Sequence, residues 1–170
     1  MNRHSNAALL ISLCLLAGAA AAADNPDAGF YTKAAEGGLA EVELGKLAQE
    51  KSATASVKEF GAMMAADHGA ANDKLQALAA RKSIKLPASP SVGQMATKAK
   101  LELLRGSAFD KSYIKGMVED HRQDIREFES EASSGQDPDA RAYAAATLPT
   151  LRAHLKKIQA IATAQGVDAG

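Results

Sequence analysis

Three histidines carry the chemistry that this sequence can offer. His68, His121 and His154 each fall near the midpoint of a separate stretch with helical apolar periodicity, on its apolar face. Val57, Phe60, Met64, Ala71, Leu75 and Leu78 share one face with His68. Ile114, Met117, Val118, Ile125, Phe128 and Ala132 share one with His121. His154 stands between Leu151 and Ile158 in the row Leu148, Leu151, Leu155, Ile158 and Ile161. A buried stripe covers about a third of a helix, so three chance placements of this kind coincide in about one chain in thirty. Imidazoles at one level of an apolar core need partners, and the two solutions are a bound metal ion or a polar hydrogen-bond network.

A fourth helical stretch, with Phe30, Ala34, Leu44 and Ala48 in one row, places Glu41 inside that row, while Glu43 lies about 200° away and faces water. Glu41 adds a carboxylate, a common companion of imidazole in metal sites. A short pattern also recurs: Met64-Ala65-Ala66-Asp67-His68 matches Met117-Val118-Glu119-Asp120-His121. An aspartate directly before a histidine points about 100° away from it, so the two cannot chelate one ion. Asp67 and Asp120 suit either acceptance of an imidazole N–H from a neighbouring helix or a solvated ion pair. Met64 and Met117 sit one turn before their histidines, where a thioether favours copper(I) but also serves as ordinary core filling. Asp124, three residues after His121, is an additional or alternative ligand.

The elements that must position these groups are helices. A first runs from about Pro26 to Lys51 and a second from the Ser52–Ser56 region to about Lys82. The stretch from Pro87 to Gly93 reads as a loop, followed by a short helix from Gln94 to Leu104. A third long helix runs from about Ala108 to Ser133, and Asp137-Pro138-Asp139 caps a fourth that continues to Gln165. Gly37-Gly38 marks either a break or a close helix contact, and Pro149 either kinks the last helix or begins a separate one. The fold class is all-α, a four-helix bundle of ferritin-like type with a long crossover between the second and third long helices.

Ahead of the helices, Arg3 followed by the apolar run Ala7–Ala17 and by Ala21-Ala22-Ala23 reads as a signal peptide, residues 1–23, cleaved before Asp24. His4 and the single cysteine, Cys14, belong to it, and the bulky Leu13 before Cys14 argues against lipid attachment. Export to the periplasm follows, with residues 24–170 as one domain that has no thiolate ligand and no second apolar span. Twenty Lys and Arg balance 20 Asp and Glu without a basic stripe, which excludes nucleic acid as the main partner.

Gly37-Gly38-Leu39-Ala40-Glu41-Val42-Glu43-Leu44-Gly45, Val57-Lys58-Glu59-Phe60, and Asp67-His68-Gly69-Ala70-Ala71-Asn72 resemble a bacterial exported family of unknown function. Phe109-Asp110, Met117-Val118-Glu119-Asp120-His121 and the run Thr147 to Leu155 carry the same resemblance. Its members are labelled outer-membrane or periplasmic proteins and are grouped with the ferritin-like superfamily. The resemblance implies the bundle fold and export; it implies no settled activity. Di-iron ferritin-like sites use Glu-x-x-His on two helices, and Ala65, Val118 and Leu151 occupy the corresponding positions here. The residues therefore allow a mononuclear site of Glu41, His68, His121 and His154, suited to zinc, iron, nickel or copper. Catalysis requires an open coordination position. The alternative is a metal-free structural or interaction bundle, its buried Glu and His layer a hydrogen-bond network.

Overall fold

The computed structural model of the chain describes residues 25–170, so the expected signal peptide lies outside the described residues. These form five helices: α1 (Ala28–Lys51), α2 (Ala55–Arg81), α3 (Val92–Glu102), α4 (Gly106–Ser134) and α5 (Pro138–Ala164). Gly37 and Gly38 do not break α1, and α5 runs unbroken through Pro149. Local chemistry sets the ends. Asp137 caps α5 by accepting from the backbone N–H of Asp139 at 3.0 Å, with Pro138 in the first turn, where its missing N–H costs nothing. Ser91 and Gln94 close a reciprocal capping box that starts α3 at Val92, two residues before the periodicity suggests.

The four long helices form a bundle in which spatial neighbours run antiparallel. Along α1 and α4, Lys33 pairs with Glu127 and Glu41 approaches His121. Along α2 and α5, Tyr143 reaches the carbonyl of Ala71 and His154 meets Asp67. Because α2 and α4 therefore run parallel, the chain must cross the length of the bundle between them. It does so through α3, which lies along α1: Lys98 pairs with Glu43 at 3.4 Å, and Lys51 donates to the carbonyl of Glu102 at 3.0 Å. This is the crossover connectivity of ferritin-like folds. At one end, Asp137 accepts from Asn25 and Tyr31, each at 2.9 Å, and pairs with Lys82, joining the start of α1, the end of α2 and the α4–α5 turn.

Apolar packing falls into lobes on either side of the bundle's middle. Leu44, Phe60, Met64, Tyr113, Met117 and Ile158 belong to the cluster on one side. Tyr31, Leu75 and Leu78, together with Phe128, Leu148 and Leu151, fill the other. The two halves of the α1–α2 hairpin meet at glycine. A Cβ on Gly45 would lie 2.5 Å from the carbonyl oxygen of Gly61, and one on Gly61 would lie 2.6 Å from that of Gly45. The backbones touch there, one turn from Glu41 on α1 and from Met64 on α2. Gly45→Ala or Gly61→Ala should force the pair apart and cost about 1–3 kcal/mol in urea denaturation. Gly69→Ala, whose added methyl meets nothing within 4 Å, should instead stabilise by up to about 1 kcal/mol.

Candidate metal centre

The layer between the two lobes is polar and buried. His68 comes from α2, His121 from α4 and His154 from α5, and their ring centroids are 5.4–5.7 Å apart. One ring nitrogen from each lies within 4.8 Å of the others, the only such group among the described residues. His121 is fully buried, and His154 and His68 are 2% and 7% exposed, so water does not compete freely for these nitrogens. Phe60 walls the layer, its ring 6.2 Å from that of His121 and 6.5 Å from that of His154.

In two of the three rings an outer partner decides which nitrogen is free. His121 Nδ1 lies 2.9 Å from the carbonyl of Met117, to which it donates, leaving Nε2 with a bare lone pair. His154 Nε2 lies 2.8 Å from Asp67 Oδ2; donation to that carboxylate leaves Nδ1 bare. His121 Nε2, His154 Nδ1 and His68 Nε2 are buried without a hydrogen-bond partner. Burial pushes His68 down to about 3 and His121 down to about 4, each helped by neighbouring imidazoles. It lowers His154 as well, against the upward pull of Asp67. All three rings are therefore neutral at physiological pH, the state in which imidazole is a ligand.

Glu41 stands apart from the three-nitrogen group. Its Oε1 is 3.6 Å from His121 Nδ1, on the edge of the ring that already donates to Met117, and its Oε2 has no partner. Asp120 does not repeat the role of Asp67: no imidazole lies in its reach, and it faces α3 instead. Asp124 joins it there. Burial, then the neighbouring acids, raises Asp124 to about 7 and Asp120 to about 6, and lifts Glu41 well above its usual range. Met64 and Met117 are buried in the apolar cluster, and Met117 adds its carbonyl to the His121 contact. Spacing puts Phe60 on the face of His68 without giving it a role at the site, and it does not point to the Met117 carbonyl or to Gln94 of α3; for Gln94 the Ser91-Val92-Gly93-Gln94 capping pattern is the available signal.

The depressed imidazoles set a pH dependence for the metal-free protein. Below about 6.5 the unfolded chain takes up protons that the folded core refuses, so the stability these neutral rings contribute is complete above that pH and is lost on acidification. The raised carboxyls oppose this across the same window, which makes a difference measurement necessary. Between pH 7 and pH 5, metal-free wild type should lose on the order of 1–2 kcal/mol more than His68→Leu in denaturant titrations. Equal losses would mean that His68 titrates normally.

No curated protein matches the chain. A solved Streptomyces coelicolor protein described as secreted, DUF305, superposes with a TM-score of 0.74 at 15% identity, covering 86% of this chain and 96% of its own. That likeness shows the same helical fold. The family model for a domain of unknown function, DUF4142, matches residues 14–161, a span that includes Glu41 and all three buried histidines. The chain belongs to the DUF4142 family.

Proposed function

We propose that this protein is an exported helical bundle that binds one transition-metal ion through His68, His121 and His154, for storage, buffering or sensing in the cell envelope. One observation carries the reading: three buried imidazoles on three helices each have a ring nitrogen without a hydrogen-bond partner, and ring nitrogens of the three lie within 4.8 Å of one another. A tetrahedral ion with bonds of about 2.0–2.1 Å needs them about 3.4 Å apart, a contraction within reach of side-chain rotation. Zinc, iron(II), nickel and copper all suit three neutral imidazoles with a fourth position left to water or an added ligand. Asp67 and the Met117 carbonyl orient two of the rings from behind, as partners of metal-bound imidazoles do. Glu41 acts from the outer edge of His121. Export is supported by the signal-like first 23 residues and by the description of the Streptomyces relative as secreted. No helix among the described residues is long and apolar enough to cross a membrane.

The competing reading is a metal-free polar layer that fixes helix register. The hydrogen bonds of His154 to Asp67 and of His121 to Met117 favour it, but they engage only the outer nitrogens. Calorimetric titration of metal-free protein with Zn²⁺ separates the two. The metal reading expects one tightly held equivalent, lost in His154→Ala. No uptake by wild type at micromolar Zn²⁺ would leave the structural network, in which the variant loses about 1–3 kcal/mol through its unpaired partners.

A further inference from the structure

An open pocket of about 300 Å³ lies between α1, α3 and α4. Glu41, Asp120 and Asp124 line it, with Gln94, Thr97 and Gln123, and no lysine or arginine is among the described residues that do. Glu41 is only 3% exposed, and its Oε2 has no hydrogen-bond partner. A buried carboxyl group with an unpartnered oxygen, beside two further acids and an opening to solvent, is a seat for a cation that displaces the protons burial favours. The three acids do not converge as the imidazoles do. They suit an ion that keeps most of its water, which oxygen ligands hold loosely.

This pocket adjoins a second space. Gly37 and Asp124 line both it and a narrow slot of about 20 Å³, whose walls also include Lys33, Glu127 and His68. The slot holds roughly one water molecule. A methyl on Gly37 would sit 3.9 Å from Asp124 Oδ1 and 4.0 Å from Gln94 Nε2, so alanine fits there in ordinary contact while adding bulk where the two spaces share their lining. His68, in the wall of the slot, has its Nε2 buried without a partner.

We propose that the Glu41–Asp120–Asp124 pocket captures hydrated divalent cations and passes them through the Gly37–Asp124 slot to the imidazole centre. The proposal rests on the metal-binding reading above. Loose oxygen ligation at the mouth and tighter nitrogen ligation within give the ion a downhill path. The acids raise the local cation concentration, an effect that salt screens.

Stopped-flow mixing of metal-free protein with Co²⁺ alone, followed by the visible absorption of imidazole-bound cobalt, tests the route. Asp124→Asn and Asp120→Asn should slow second-order loading about tenfold or more at low salt, with the gap closing as salt rises. Gly37→Ala should slow loading and chelator-driven release by the same factor, leaving affinity unchanged, because a plug raises the barrier in both directions. This variant has room for its methyl, so it decides the matter even if the aspartate changes disturb folding. Wild-type rates in Gly37→Ala, with binding still dependent on His154, would overturn the route and leave the metal centre standing. Failure of wild type to bind Co²⁺ at its histidines would overturn both.

Discussion

The structure depends on the desolvation of three imidazoles. An apolar bundle of this size could bury leucine at positions 68, 121 and 154, and it buries ring nitrogens that prefer water. Each unpaired polar atom in such a place costs free energy on the scale of a lost hydrogen bond. The fold recovers part of this with Asp67 and the Met117 carbonyl, which engage the outer nitrogens of His154 and His121. The remaining nitrogens stay bare. That residual cost is what a bound cation would turn into a gain.

The rest of the architecture serves the level at which these rings meet. The antiparallel α1–α2 hairpin is locked by the Gly45–Gly61 contact, one turn from Glu41 and close to Phe60 and Met64. With α2 and α4 parallel, the crossover has to run lengthwise, and α3 is thereby laid against the face where Asp120 and Asp124 lie. Glu41 links the two regions: it borders the carboxylate pocket on one side and the His121 ring on the other. The apolar lobes above and below hold the layer in register, because sliding any one helix would move a histidine into packed hydrocarbon.

Much of this is legible in the sequence. Midpoint histidines on apolar faces must meet when neighbouring helices run antiparallel, and periodicity alone places His68, His121 and His154 there. Periodicity resolves a face, not a direction within it. It puts Glu41 on the buried side of α1 but cannot tell whether the carboxylate turns toward the imidazoles or lies behind His121. The repeated Met-x-x-Asp-His pattern has the same limit. Asp67 and Asp120 look equivalent, yet α5 presents His154 to the first while the crossover helix faces the second. Tyr31, whose hydroxyl joins the Asp137 clamp, lies beside the row that periodicity picks out, since that contact is made across the chain rather than along it. Pro149 is absorbed within α5, where one lost hydrogen bond is outweighed by packing on both sides.

The most direct test of the central claim is X-ray absorption at the zinc edge on stoichiometrically loaded protein. The account predicts three imidazole nitrogens at about 2.0–2.1 Å, with the outer-shell scattering of their rings and one further light ligand. A shell of oxygens without imidazole scattering would contradict it, and would place the ion among carboxylates instead of in the histidine layer.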